Sequence, residues 1–284
     1  YRLLRALGSL GLLDESPDRT FSLTESGHLL TSDYDPSLRG LARLIESPEH
    51  YAVWPRLSEL VRTGEDEAFE AEFGQPMFEY IKENPGHAEV FDEAMESNSA
   101  IETQNVLSAL EDYDFSGISR ICDVGGGTGH MLSHLLAEHS HLQGEVLELP
   151  QVVERAGAVP EAVGVADRIT FTSGDMFEEV PAAGAYLMKQ ITPDWNDEDC
   201  VEILETIRAA APEGAPVLIA DQIVPGPDTS HFSKVFDLHM LLMTGGRLRT
   251  VDEFQERFEE SGLEFVGHHA AEDAAMSVVE GRVP

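Results

Sequence analysis

"ICDVGGGTGH", residues 121–130, decides the fold of this chain. A short β-prone run enters a glycine loop, and a helical stretch follows. Glycine tolerates positive φ and lets a ligand approach the backbone with no Cβ in the way. The dinucleotide fingerprint would need a further glycine three residues after Gly127, and position 130 is His. The spacing is instead Asp123-x-Gly125-x-Gly127-x-Gly129, and taken alone a glycine triplet also reads as an ordinary turn. Glu148 closes the next β-rich run, "GEVLELP", where a carboxylate accepts hydrogen bonds from two ribose hydroxyls. Asp175, in "SGDMF" after the third run, stands where it accepts from an adenine amino group, with Met176 against the ring. Singly, each acid in this chain reads as a solvated surface carboxylate. Three of them at successive strand ends beside a glycine loop describe a nucleoside site.

Working outward, β-rich runs at 119–124, 144–149, 168–173, 185–190, 216–221, 263–268 and 275–280 alternate with helical stretches. That alternation predicts an α/β fold, a mostly parallel seven-stranded, Rossmann-like sheet with helices on both faces. Upstream the period is different. "YRLLRALGSLGLL" reads as a helix, and "LDESPDRTFSLTESG" as a polar hairpin closed by a capping pattern at Thr24–Ser26, together the back half of a winged helix. "PSLRGLARLIES", "AVWPRLSELVRTG" and "AEVFDEAMESNSAIETQNVLSAL" carry apolar residues at helical spacing. Gly-Gln-Pro at 74–76 and Asn-Pro-Gly at 84–86 punctuate them. The expected division is a helical domain over 1–113 and an α/β domain over 114–284. There is no initiator Met, and the opening inside a helical pattern implies a further N-terminal segment.

Composition excludes several classes. The 284 residues carry 53 Asp and Glu against 18 Lys and Arg, a formal charge of -35. The acid is spread along the chain, and 42% apolar content supports a folded core, so an acidic disordered tail is a poor explanation. A solvated acidic surface adapted to high salt fits better, since counter-ions screen its self-repulsion. Nucleic acid as a partner is disfavoured, because phosphate binding needs a basic footprint. No apolar run has the length of a membrane span, and Cys122 and Cys200 make neither a disulfide framework nor a metal spacing. The expectation is a cytoplasmic protein with no metal site.

The loop after the fourth strand, "AYLMKQITPDWNDEDC" at 185–200, is where such a fold places proton-transferring groups. At this point the chain resembles the caffeate/acetylserotonin-type small-molecule O-methyltransferases, including bacterial members that tailor polyketides. The motifs carrying the resemblance are "DYDFSGISRICDVGGGTG", "LELPQVVERA", "GDMFEEVP", "DWNDEDCVEILETIRAA" and "DLHMLLMTGGRLRT". It implies a class I fold binding S-adenosyl-L-methionine, a helical N-terminal domain that forms a homodimer, and a small-molecule acceptor pocket between domains. It places Asp123, Gly125, Gly127, Glu148, Asp175, Met176, Lys189 and Trp195 at the cofactor, and Phe91, Met95, Met240 and Met243 at the acceptor.

The resemblance also exposes a departure. Plant members carry Lys-x-x-x-His-Asp-Trp in this loop, with the His as base, and here that position is Pro193. One flanking acid of the family matches Asp221, and the other position is Leu248. Asp194, His239 and Asp221 remain as candidate proton acceptors. Against these roles, Asp194 reads as the cap of the helix at "NDEDC", and His239 as a lone packed imidazole on an apolar helix. Lys189 reads equally as a snorkelling strand-end cation, Trp195 as a packing residue and the methionines as core. A positioned base contributes about 10²–10⁴-fold, whereas orientation alone supplies about 7–11 kcal/mol. Methyl transfer by proximity is therefore the expected chemistry. The alternatives are a family member repurposed for hydroxylation or decarboxylation, and a DNA-binding regulator suggested by the wing.

Overall fold

A hairpin of β1 (Leu13–Glu15) and β2 (Phe21–Leu23) follows the first helix, Arg2–Ser9, and its register pairs Leu13 with Leu23. Thr24 ends the hairpin by capping the turn Glu25–His28, its hydroxyl accepting from the Gly27 amide at 3.0 Å. The coordinates are a computed structural model and describe residues 1–34, 37–64, 68–154, 156–271 and 276–284. Short helices then lead to a long one, Pro85–Ala109, with Pro85 in its first turn, where a missing N–H costs nothing.

Seven strands form the main sheet: β3 (Arg120–Val124), β4 (Gln143–Glu148), β5 (Ile169–Ser173), β6 (Ala185–Lys189), β7 (Pro216–Asp221), β8 (Glu264–Ala270) and β9 (Ser277–Arg282). Their order is β5-β4-β3-β6-β7-β9-β8. Strands β3 to β7 are parallel, while β9 runs antiparallel to both β7 and β8. Each strand predicted from sequence is present, displaced by at most two residues at its ends. Ala275, where the last was expected to begin, lies outside the described residues, as does Arg155 of "LELPQVVERA". Chain order reverses between β3 and β6, the switch point at which open α/β sheets bind ligands.

Both faces of the sheet are covered, which is why its central strands read as continuous apolar runs. Ile121, Leu187 and Leu218 point to one face, packed under Leu132, Leu135 and Leu136. Cys122, Tyr186, Met188 and Val217 point to the other, against Ile203, Leu204, Phe254 and Phe258. A third core joins Val53, Phe69 and Met77 of the upstream helices to Leu242 and Met243 of the helix Ser233–Met243. Val106, Leu107 and Leu110, at the end of the long helix, belong to the sheet's core, so packing is continuous across the sequence boundary placed at 113/114.

Candidate active site

Strand β3 ends in Val124, and the next residues alternate in and out of the left-handed region: Gly125, Gly127 and Gly129 have φ of +70°, +59° and +78°. A Cβ on Gly125 would lie 2.4 Å from Ile191 Cδ1, and one on Gly129 would press on Phe171 at 3.0 Å. A Cβ on Gly127 would meet nothing within 4 Å. The first and third glycines are thus required by packing, and the middle one faces open space. Glu148, at the tip of β4, accepts the Gly127 amide at 3.0 Å and the Leu149 amide at 2.8 Å.

Asp123 lies beneath the loop, fully buried, with neither carboxylate oxygen hydrogen-bonded. Burial pushes its pKa up to about 7, the Lys189 charge opposing and Glu148 reinforcing. A buried orphan carboxylate is costly and calls for a cationic or donor partner. Asp175 is exposed, two residues beyond β5, and accepts the Phe177 amide at 3.0 Å. Met176, Phe177, Ile191 and Trp195, each half-buried, form an apolar wall against the core on that side of the sheet, with Phe177 edge-on to Trp195 at 4.7 Å. The structure therefore brings Asp123, Gly125, Gly127 and Glu148 together, with Asp175 and Met176 on the neighbouring strand end. Lys189 takes its ion-pair partner from outside this group: its ammonium is 2.8 Å from Glu102 on the long helix.

The proline loop is a rigid structure built by residues from elsewhere. Asp221, 1% exposed, accepts the Gln190 amide at 3.0 Å and the Thr192 hydroxyl, which occupies both carboxylate oxygens. Arg249 is likewise buried, donating to the carbonyls of Thr192 (2.9 Å) and Trp195 (3.0 Å) and to the Asp197 carboxylate. Pro193 is buried, and its carbonyl accepts the Arg247 amide at 2.9 Å, so it stiffens the loop against "GGRLRT". Sequence reasoning missed Arg249. Its one signal was an arginine in an apolar context, without a visible partner. Among the candidates, Asp221 is consumed by loop anchoring.

Asp194 corrects one expectation. The helix Asp197–Ala210 is capped by Asn196, whose side chain accepts the Asp199 amide at 2.9 Å; Asp194 sits in the preceding turn of 3₁₀ helix. A cap must stand immediately before the first helical residue to reach the third amide, and only Asn196 does. Asp194 is half-buried, and desolvation raises its carboxyl to about 7, with no side-chain hydrogen bond to it among the described residues.

His239 is also not a lone imidazole. Its Nε2 is hydrogen-bonded to His50 Nδ1 at 3.0 Å, and its ring stacks on Trp54 and Phe236. His87 joins the cluster, its Nδ1 3.5 Å from a Glu49 carboxylate oxygen. Burial holds all three imidazoles below their ordinary pKa, His50 at about 3. A neutral, engaged imidazole of this kind is a poor base. Phe91 and Met243 share the third core with Trp54, and Met240 is half-buried on the same helix as Met243. Met95 stands 40% exposed and outside that core. Among the described residues no three His, Cys, Asp or Glu side chains are arranged so as to hold a metal ion, and no helix is long and apolar enough to cross a membrane.

A switch-point glycine loop, a carboxylate one strand over that accepts the loop's amide, and an antiparallel strand between β7 and β8 define a class I, S-adenosylmethionine-dependent methyltransferase. The family profile described as an O-methyltransferase domain matches residues 54–264, and the chain belongs to that family as an S-adenosylmethionine-dependent O-methyltransferase. The phenazine O-methyltransferase PhzM of Lysobacter antibioticus is 36% identical over 285 residues, covering 99% of this chain and 81% of the relative. The calicheamicin-biosynthesis methyltransferase CalO1, solved with SAH bound, is 31% identical with a TM-score of 0.85, over 100% of this chain and 83% of that one. The neocarzinostatin-biosynthesis O-methyltransferase NcsB1, solved with S-adenosylmethionine and 2-hydroxy-5-methyl naphthoic acid, is 28% identical with a TM-score of 0.81, over 100% and 84%.

Proposed function

We propose that this enzyme methylates a hydroxyl group on a small planar aromatic or polyketide-like acceptor, chiefly by holding the two reactants in line. The observation carrying the cofactor half of this reading is the Gly127–Glu148 contact above the orphaned Asp123. Glu148 is positioned to take the ribose hydroxyls and Asp175 the adenine amino group. Met176 and Trp195 supply the apolar wall, and Asp123 suits a cationic group. When bound, S-adenosylmethionine supplies an electrophilic methyl group on a sulfonium whose leaving group is a neutral thioether.

The acceptor half rests on half-buried Phe91, Trp54 and Met240, which lie with buried Met243 on or against the helix Ser233–Met243, and on aromatic acceptors in the relatives' names. Asp194 is the proton acceptor in this reading. It adjoins Pro193, its carboxyl is raised to about 7, and the rival groups Asp221 and His239 are engaged elsewhere. A base of that pKa is half ionised at neutral pH, close to the optimum for general-base catalysis.

Incubation with methyl-labelled S-adenosylmethionine and a panel of phenols, hydroxynaphthoates and hydroxylated tricyclic aromatics tests the proposal. Labelled methyl ether is expected from at least one hydroxylated aromatic. Retained cofactor binding with no methylated product from any of them would contradict it.

The division into an N-terminal winged-helix and helical domain and a catalytic domain, a homodimer, an acidic surface suited to high salt and a cytoplasmic location belong to the same proposal. For the dimer, the helix Arg2–Ser9 leaves Leu3 71% exposed, and Leu10 just beyond it is 73% exposed, an apolar face suited to a second copy. Light scattering at several salt concentrations tests it, and a monomer throughout would refute it.

A further inference from the structure

Glu102 lies on the long helix and is 6% exposed, yet it faces the tip of β6. Its carboxylate accepts from Lys189 Nζ at 2.8 Å, Gln190 Nε2 at 2.7 Å and Asn98 Nδ2 at 2.6 Å. Gln190 adopts a φ of +56°, a conformation that non-glycine residues keep only where their surroundings over-determine it. The neighbouring Thr103, fully buried, holds His130 Nδ1 at 3.0 Å, and His130 opens the helix that follows the glycine loop. Two adjacent residues of one helix therefore grip the β6 tip and the glycine loop together.

The charge balance gives this clamp a chemical consequence. Lys189 is near enough to the loop for its charge to act on both Asp123 and His130. In a low-dielectric site an uncancelled ammonium there would oppose a cationic ligand. S-adenosylmethionine carries a sulfonium, and the product left after transfer is a neutral thioether of nearly the same shape. A fixed charge beside the loop therefore separates the two ligands, while a purely steric change acts on both.

We propose that Glu102 is a charge-setting positioning residue: its carboxylate cancels Lys189, leaving Asp123 and Glu148 as the dominant charges at the loop, so that the site favours the sulfonium cofactor over its thioether product. The inference rests on the reading that the glycine loop binds S-adenosylmethionine. The same bias promotes product release, because the thioether gains nothing from the residual negative charge.

The test is calorimetric titration of S-adenosylmethionine and S-adenosylhomocysteine into wild type, Glu102→Gln, Lys189→Met and the double variant. Glu102→Gln should lower the ratio of sulfonium to thioether affinity by about tenfold, and the double variant should restore it. In Lys189→Met the ammonium is gone while Asn98 and Gln190 still donate to the Glu102 carboxylate, so the ratio should rise; this arm stands even where Glu102→Gln fails to fold. Equal losses for both nucleosides in Glu102→Gln, or a ratio unchanged or lowered in Lys189→Met, would overturn the proposal. A folded wild type that binds neither nucleoside would instead remove the cofactor-site reading beneath it.

Discussion

Replacing Asp194 by Asn separates proton transfer from orientation in this enzyme. Burial raises the Asp194 carboxyl from its ordinary value to about 7. If it takes the acceptor's proton, kcat should follow the ionised fraction: about 10% at pH 6, half at pH 7 and about 90% at pH 8. The wild-type rate on a weakly acidic phenol should therefore climb about tenfold between pH 6 and 8. Asn keeps the shape and removes the base, so that limb should vanish and kcat should fall by about 10²-fold or more. On a strongly acidic phenol, already ionised at neutral pH, the loss should shrink toward nothing. The raised pKa also marks the ionised carboxyl as destabilising at neutral pH, so the variant should melt higher than wild type. A fixed-time assay over pH 5.5–8.5 with phenols of graded acidity, plus a thermal melt, reads both effects. A pH limb that survives in Asp194→Asn, or a loss independent of acceptor acidity, would refute the assignment.

Three further expectations follow from the geometry. Gly127→Ala should cost only about 1–2 kcal/mol of stability, from its left-handed φ, since the new methyl meets no protein atom; cofactor affinity should nonetheless fall at least about tenfold, and unchanged calorimetric affinity would move the ligand away from that face. Arg249→Met strips a buried cation from Asp197 and three carbonyls, so urea denaturation should register a loss of about 3–5 kcal/mol, and a loss under 1 kcal/mol would contradict its anchoring role. His50 has its folded pKa depressed to about 3, so its stabilising contribution is present above the unfolded value near 6.5 and is lost as pH falls from there toward 3, by about 2 kcal/mol at pH 5. Buried Asp123, Asp194 and Asp221 have raised values and push the opposite way, so the check is the difference in urea midpoints between wild type and His50→Gln from pH 5 to 7.5. A parallel pair of curves would exclude His50 as the source.

What could be read from the sequence was local. The central strands were legible because burial on both faces turns them into short, uninterrupted apolar runs, "VLIA" in β7 being typical. The glycine spacing and Glu148 were legible because the turn fixes how far apart a strand tip and its neighbour's carboxylate fall. Long-range pairing left no such mark. His239 bonds to a partner 189 residues away, Gln190 to one 88 away and Arg249 to one 52 away. Periodicity could place His239 on an apolar helix but could not supply the second imidazole that occupies it. Lys189 shows the same gap from the other side. The resemblance suggested a cofactor contact and its place at the β6 tip a strand-end cation, but its anion comes from a helix that the motif does not contain. The capping error was of a different kind: two acids and an amide compete within four residues, and backbone geometry at Asn196 decides between them.

The central claim, that the glycine loop with Glu148 and Asp123 grips S-adenosylmethionine, is tested most directly by calorimetric titration of that nucleoside into folded wild type and Glu148→Ala in molar potassium chloride. Saturable heat is expected for wild type, and an affinity weakened by about tenfold or more when Glu148 is truncated. No heat for wild type at millimolar nucleoside, or the same affinity in both proteins, would contradict it.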